Sequence, residues 1–136
     1  VLEFLAQKRH FNWAYRDFPS NSHPNVTPGD MPIIALVNER SLSDAEVTSN
    51  GIQTLGLATI VGTETYRWII FTSGTTLLDG SYLRLPAWGC YSLDGKDLES
   101  TGVKPDIYIK NTFEDRLKGR DPQLERAIEE ALKQLN

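Results

Sequence analysis

Two short apolar runs stand out in the first half of the sequence. Residues 32–37 read Pro-Ile-Ile-Ala-Leu-Val, and residues 58–62 read Ala-Thr-Ile-Val-Gly. Unbroken apolar runs of this length that contain β-branched residues are typical of strands buried on both faces of a sheet. The pattern therefore predicts two buried strands, at residues 33–37 and 58–62.

The segment between these runs has the spacing of a helix. Ser43, followed three residues later by Glu46, forms a capping box, which is a common start of a helix. Small and apolar side chains then recur at helical spacing, and Gly56 suits the left-handed conformation that ends many helices. A strand, a helix and a strand in this order predict a right-handed crossover between two adjacent parallel strands.

The next segment has the pattern of a β-hairpin. Residues 75–78 and 81–85 flank Asp79 and Gly80, a pair that is common in tight turns. Residues 71–76 read Phe-Thr-Ser-Gly-Thr-Thr and resemble the phosphate-binding loop of adenylate-forming ligases, but the sequence that follows does not continue that motif. A strand that leads into the hairpin is therefore the favoured interpretation.

Helical patterns occur at both ends of the chain. Residues 1–9 resemble the end of a helix, and residues 19–30 have the proline-rich composition of a loop. Asp121 and Pro122 are a capping residue and a first-turn proline, and an amphipathic stripe follows them. Two short strands are predicted at residues 88–92 and 106–109. The whole pattern predicts an α/β fold.

Composition and charge exclude several classes of function. The chain has 136 residues, which fits one domain, and its 14 basic and 18 acidic side chains give a net charge of −4 that disfavours nucleic-acid binding. No apolar run approaches the about 20 residues that cross a bilayer, so no membrane span is expected. The single cysteine excludes an internal disulfide framework. The chain begins at Val1 and its only methionine is Met31, so we expect a piece of a longer polypeptide.

Ser43 is the first candidate for chemistry. It follows a buried strand and opens a helix, where unpaired N–H groups and the helix dipole favour negative charge. A nucleophilic serine at this position would have the amide of Asp44 directed at the oxyanion that it generates. The alternative is that Ser43 only caps the helix, which is the commoner use of such a serine. Ser41 is a second hydroxyl nearby with no distinguishing feature.

Two further groups are weaker candidates. Cys90 could act as a nucleophile with His10 or His23 as its base, although a free cysteine is more often a small buried side chain. Glu99 ends the acidic segment Asp-Gly-Lys-Asp-Leu-Glu and could orient a catalytic base. The spacing of this segment does not match a calcium loop, so the alternative is a solvated turn, and no metal site is expected.

Four segments occur in an order that resembles the C-terminal-processing peptidases, a family that includes the tail-specific and tricorn core proteases. The segments are residues 38–46, 55–62, 78–81 and 102–107. The resemblance as a whole covers about residues 32–109. In this family the middle serine of the first segment is the nucleophile, and that position falls on Ser43.

Two positions indicate which branch of the family the chain resembles. The tail-specific branch uses a lysine base, but Trp68 occupies that position here, and the neighbouring Arg67 stays protonated and cannot act as a base. The tricorn-like branch uses a histidine that a glutamate orients through a second serine, and Glu99 matches this glutamate. The histidine and its serine belong to a segment upstream of this sequence, and neither His10 nor His23 matches them.

The resemblance implies a crotonase-like (ClpP/crotonase-type) α/β fold, with a ββα core, an added hairpin and a C-terminal helix. Residues 1–136 would form a single domain, the C-terminal portion of a peptidase catalytic domain. Ser43 would attack the peptide bond, the backbone amide of Asp44 would hold the oxyanion, and Glu99 would help to orient the base. No cofactor or metal is implied.

The same resemblance sets expectations about partners. They are a peptide or protein substrate, the upstream part of the same polypeptide, and a second copy of the chain that pairs with exposed strand edges. The isolated chain is expected to be inactive because its base lies elsewhere. The alternative function is a non-catalytic ligand-binding module of the same fold, as in the retinoid-binding relatives. No targeting signal predicts a compartment.

Overall fold

A computed structural model describes residues 1–8, 11–14, 16, 21–23 and 31–135, with the backbone alone for residues 11–13 and 21–23. The strands in these residues are β1 (Phe11–Trp13), β2 (Asn21–His23), β3 (Ile34–Val37), β4 (Thr59–Gly62), β5 (Ile70–Thr76), β6 (Tyr82–Gly89) and β7 (Ile107–Tyr108). The helices in these residues are α1 (Leu2–Leu5), α2 (Asp44–Leu55), α3 (Leu98–Thr101), α4 (Phe113–Leu117) and α5 (Pro122–Leu135).

The central sheet is parallel and has the order β3-β4-β7. Strands β3 and β4 are adjacent and are joined by α2, which confirms the prediction for residues 33–37 and 58–62. Ile60 and Val61 in β4 have no exposed surface, because β4 lies in the middle of this sheet. Ile60 packs with Val37, Ile52 and Val103 in the hydrophobic core.

Close contacts fix β4 against both of its neighbours. Gly62 has a φ of 142°, and a Cβ atom there would lie 1.8 Å from the carbonyl oxygen of Val37, so only glycine fits. At the other end of the strand, the N–H of Ile60 donates to the carboxylate of Asp106 at 2.7 Å. The side-chain amide of Gln53 in α2 donates to the same carboxylate at 3.2 Å. Asp106 therefore ties α2, β4 and the start of β7 together.

The hairpin of β5 and β6 is longer than the sequence predicts. The strands pair antiparallel from Ile70 opposite Gly89 to Thr76 opposite Tyr82, and the predicted turn at residues 79–80 is confirmed. The strands predicted at 75–78 and 81–85 are shorter than β5 and β6. The sequence pattern does not mark the full length of β6, because this strand is exposed throughout and carries no alternation of buried and exposed positions. The hairpin is a two-stranded arm that projects from the core.

The separate strand predicted at residues 88–92 is wrong. Trp88 and Gly89 are the end of β6, and Tyr91 makes only an isolated bridge with Asp97. Pro86 makes the sequence before Trp88 look like the end of a strand. The hairpin strand β6 nevertheless accommodates this proline, because the side of a strand where proline lacks an N–H can face solvent. Pro86 lies opposite Thr72, next to a β-bulge.

The two ends of the chain agree with the predictions only in part. The carboxylate of Asp121 accepts the N–H of Leu124 at 3.0 Å, which confirms the predicted cap of α5. This helix packs against β3 and β4. The helix predicted at residues 1–9 is confirmed over the four residues of α1. The loop predicted at 19–30 contains the three residues of β2, and residues 19, 20 and 24–30 lie outside the described residues.

Candidate functional site

Ser43 lies at the N-terminus of α2, after the loop of residues 38–42 that follows β3. Its backbone has φ 56° and ψ −121°. A residue with a side chain rarely adopts a positive φ, and such a backbone costs roughly 1–3 kcal/mol, so it persists only where its surroundings impose it. Conformations of this kind cluster at active sites. The Ser43 side chain itself is exposed.

The capping box predicted from Ser43 and Glu46 is present. One of its two contacts is a clear hydrogen bond, in which the N–H of Ser43 donates to the Glu46 carboxylate at 3.2 Å. On the other side, the N–H of Glu46 lies near the Ser43 hydroxyl but donates to the Ser43 carbonyl oxygen at 2.8 Å. The hydroxyl is therefore not a full N-cap acceptor, and capping alone does not explain the serine.

The carboxylate of Glu46 is completely buried and accepts four hydrogen bonds. The donors are the N–H of Ser43 at 3.2 Å, the hydroxyl of Thr65 at 2.6 Å, the N–H of Arg67 at 2.7 Å and the N–H of Trp68 at 2.9 Å. No basic side chain in the described residues pairs with it. Three backbone N–H groups and the N-terminus of α2 stabilise the negative charge in place of a cation.

Glu46 connects the two strained residues of the described chain. Ser43 and Arg67 are the non-glycine residues with positive φ in that part, at 56° and 73°, and the N–H groups of both donate to this one carboxylate. The N–H of Ser43 also donates to the carbonyl oxygen of Trp68 at 3.1 Å. The carboxylate therefore fixes the turn at Ser43 against the segment of residues 65–68.

The loop before Ser43 is ordered by its own polar side chains. The hydroxyl of Ser41 accepts the N–H of Asn38 at 3.1 Å, so Ser41 has a structural contact. The hydroxyl of Thr63 donates to Glu39 at 2.9 Å. The backbone N–H of Glu39 and this hydroxyl hold the pKa of the Glu39 carboxyl below its usual value. These contacts fix the path from β3 to Ser43.

The backbone N–H of Asp44, the first residue of α2, makes no hydrogen bond with any residue that the structure describes. Unpaired N–H groups are usual in the first turn of a helix, where they attract negative charge. The Asp44 N–H directly follows Ser43 and is available to an anion formed there.

A cavity of about 480 Å³ lies beside Ser43. Its walls are mainly apolar, and the residues that line it are Leu42, Ser43, Trp68, Ile70, Thr72 and Arg84. Trp68, the residue that the family resemblance aligns with the lysine base of the tail-specific branch, is part of this wall. The cavity is large enough to hold an amino-acid side chain next to the serine.

The structure does not join Glu99 to Ser43 directly. Glu99 lies in α3, and its backbone N–H donates to the carboxylate of Asp97 at 2.9 Å. Its own carboxylate makes no hydrogen bond or ion pair with a described residue, and it does not line the cavity beside Ser43. Its role as an orienting group therefore stays a prediction.

The described residues give no support to Cys90 as a nucleophile or to a metal site. Cys90 is half-buried, but His10 lies outside the described residues, and only the backbone of His23 is described. Where the structure is described, no three His, Cys, Asp or Glu side chains are grouped so that they could hold a metal ion. Over the same residues, no helix is both long enough and apolar enough to span a membrane.

Sequence reasoning missed the full role of Glu46 and the contribution of Thr65. The capping box predicts one contact of the Glu46 carboxylate, but three of its four donors lie 19 to 22 residues further along the chain. Thr65, which is buried, also accepts the N–H of Val103 at 2.9 Å. The sequence carries no signal for this cluster. The burial of Glu46 and the absence of a basic partner among the described residues are seen only in the fold.

Known proteins resemble this chain in both sequence and fold. The pattern of the family described as peptidase family S41 matches residues 4–109. Tricorn protease homolog 1 from Streptomyces coelicolor is 35% identical over 97% of this chain and 12% of its own length. Tricorn protease from Thermoplasma acidophilum is 35% identical over 76% of this chain and 10% of its own length. The chain thus spans about an eighth or less of these relatives.

Solved structures give the same result for the fold. The crystal structure of the tricorn protease matches 99% of this chain and 13% of that chain, with a TM-score of 0.86 and 32% identity. The structure of mature CPAF complexed with lactacystin matches 80% of this chain and 21% of that chain, with a TM-score of 0.64 and 27% identity. The α/β fold of this chain is therefore close to that of the tricorn protease.

Proposed function

Because the chain belongs to peptidase family S41, we propose that it carries the nucleophile part of a serine peptidase active site of the tricorn type. Ser43 attacks the carbonyl carbon of the scissile peptide bond. The N–H of Asp44 stabilises the oxyanion of the tetrahedral intermediate, and the amine of the product leaves after protonation. The whole enzyme, as in its much longer relatives, includes chain outside these residues.

The observation that carries this proposal is the strained backbone of Ser43. A serine that only caps a helix has an ordinary extended backbone and needs no fixed positive φ. Here φ is 56°, the hydroxyl is exposed beside an apolar cavity, and the next N–H is unpaired among the described residues. Strain, access and an oxyanion donor in one turn are what a nucleophilic serine requires.

The base of this site lies outside the described residues. Trp68 stands at the position of the lysine base, and its indole stacks obliquely on Tyr66 with 5.8 Å between the ring centroids. An indole cannot accept the proton of Ser43. We infer that a histidine from another part of the polypeptide takes this proton, and that Glu99 orients it through a second serine.

We infer the crotonase-like arrangement for the complete domain, of which residues 1–136 are the C-terminal portion. The order of the parallel sheet and the α2 crossover support this arrangement. The substrate is a peptide or protein, and the other part of the catalytic domain is a partner of this chain. Exposed edges such as those of the hairpin favour a homo-oligomer.

The test is labelling of the full-length protein with a fluorophosphonate probe, followed by peptide mapping. Labelling of Ser43 that disappears in the Ser43→Ala protein is the expected result. The matched control is Ser41→Ala, which removes the neighbouring hydroxyl and keeps the label. Loss of the Ser43 hydroxyl costs at most about 1 kcal/mol of stability, so the variant stays folded. Cleavage of peptides falls by several orders of magnitude.

One observation favours a second function, a non-catalytic ligand-binding module. No basic side chain among the described residues forms a hydrogen bond with Ser43, and the cavity beside it is mainly apolar. The same labelling separates the two functions. A folded full-length protein whose Ser43 does not react with the probe, and which cleaves no peptide, is a binding module.

A further inference from the structure

An arginine borders the cavity beside Ser43. Ile70 and Thr72 are alternate residues of β5, so their side chains lie on one face of the hairpin. Arg84 reaches this face from β6, and its guanidinium donates to the Thr72 hydroxyl from Nε at 3.2 Å and from a terminal nitrogen at 2.7 Å. The hydroxyl thus holds the guanidinium at the wall of the cavity.

The charge of Arg84 has no acidic partner among the described residues. No carboxylate in the described part of the chain forms an ion pair or a hydrogen bond with it, although other arginines there do so, such as Arg67 with Glu64 at 2.7 Å. The Thr72 hydroxyl accepts from only two nitrogens of the Arg84 guanidinium, so the second terminal nitrogen stays available to donate to a ligand. A positioned guanidinium with free N–H groups binds a carboxylate well, because the two fork-like groups match in geometry.

We propose that this cavity binds a carboxylate of the substrate and that Arg84 is the residue that determines this specificity. The aliphatic part of the bound group contacts Leu42, Trp68 and Ile70, and the carboxylate pairs with Arg84. Thr72 acts as a positioning residue. The inference rests on the proposed peptidase function, because it names the class of peptide that Ser43 receives.

The carboxylate can come from two sources, and matched peptides distinguish them. One pair of peptides differs by Glu or Gln at a single internal position, which is moved through the residues on either side of the cleaved bond. A second pair differs by a free or an amidated C-terminus. An internal acidic side chain raises kcat/KM in the first pair, and a C-terminal carboxylate raises it in the second.

Arg84→Gln in the full-length protein tests the assignment. For the preferred peptide, kcat/KM falls about 10- to 100-fold, which is the range for loss of a hydrogen bond between charged groups. For the uncharged partner peptide it changes less than about threefold, so the preference disappears. Arg120→Gln, which alters an exposed arginine that does not line the cavity, leaves the preference intact.

Thr72→Val tests the positioning role. It keeps the shape of the side chain and removes the acceptor, so KM for the carboxylate peptide rises while kcat changes little. A loss that is equal for charged and uncharged peptides would instead indicate a merely structural role.

A binding measurement separates failure of this inference from failure of the proposed function. The Ser43→Ala protein keeps the cavity, and calorimetry with the matched peptides reports carboxylate binding without turnover. Tighter binding of the acidic peptide that is lost on Arg84→Gln supports the inference even if no cleavage occurs. A wild-type protein that cleaves peptides with no preference for a carboxylate, and binds both members of each pair equally, overturns it.

Discussion

Replacement of Glu46 by glutamine is the sharpest test of how the site is held together. The change keeps the size of the side chain and replaces one carboxylate oxygen with an NH₂ group. Each oxygen of Glu46 accepts two hydrogen bonds, from Thr65 and Arg67 on one side and from Ser43 and Trp68 on the other. In either orientation, the new NH₂ group faces at least one backbone N–H and cannot accept from it.

The expected cost follows from the number of donors left without an acceptor. Each unsatisfied buried donor costs about 1–3 kcal/mol, and one or two donors lose their acceptor, so we expect about 2–4 kcal/mol in the free energy of unfolding. Relaxation of the strained backbone at Ser43 returns part of this cost. That relaxation also moves the serine, so its reactivity falls further than the stability does.

The measurements are chemical denaturation and fluorophosphonate labelling of the full-length protein. Glu64→Gln is the matched control, because Glu64 pairs with Arg67 at 2.7 Å on the surface, where an ion pair contributes less than about 1 kcal/mol. Labelling survives in this control and is lost in Glu46→Gln. If Glu46→Gln keeps both the labelling rate and the stability of the wild type, Glu46 does not position Ser43.

Three further predictions concern the scaffold. Gly62→Ala prevents folding, as measured by circular dichroism, whereas Gly80→Ala, whose Cβ would meet no atom within 4 Å, costs only about 1–2 kcal/mol; a folded Gly62→Ala protein would contradict the close approach of β3 and β4. Ile60→Ala lowers the free energy of unfolding by about 2–5 kcal/mol, and the fully exposed Leu78→Ala changes it by less than about 0.5 kcal/mol; equal costs would contradict the position of the core. Hydrogen bonds from the N–H of Leu124 and, to a smaller extent, from the side-chain amide of Asn111 lower the pKa of Asp121 below its ordinary 3.8. The contribution of Asp121 to stability is therefore present above pH 3.8 and is lost as the pH falls through the lowered pKa. Stability therefore falls more steeply in acid for the wild type than for Asp121→Asn, and parallel profiles would refute this role.

The sequence predicts the elements whose own pattern determines them. Strands β3 and β4 are recognisable because a central parallel strand is apolar on both faces, and α5 because its stripe and its cap are local. The limits of β5 and β6 were not predictable in this way, since an exposed two-stranded arm has no buried face to impose alternation. The bulge between Phe71 and Thr72, which shifts the pairing there, leaves no clear trace in the sequence.

In the candidate site, too, the features with local sequence signals are predictable and those that depend on distant contacts are not. Ser43 is predictable because its neighbours in the sequence, a buried strand before it and a capping box after it, are local signals. The four-donor environment of Glu46 is not, because two of its donors are backbone N–H groups of residues 67 and 68, and any residue type can supply a backbone N–H. Arg84 meets Thr72 only through the pairing of the hairpin, so its place beside the serine also required the fold.

The hydroxyl of Thr65 has a consequence for the order in which the protein matures. It donates to Glu46 at 2.6 Å and accepts the N–H of Val103 at 2.9 Å, so the turn at Ser43 is linked to residues that leave the ribosome about 60 positions later. Contacts between residues so far apart in sequence form late, since the intervening chain must first be ordered. A nascent chain that ends before Val103 has its serine but lacks this link. The geometry of the Ser43 turn is thus completed only after Val103 has been synthesised, and the timing is set by the order of segments along the polypeptide.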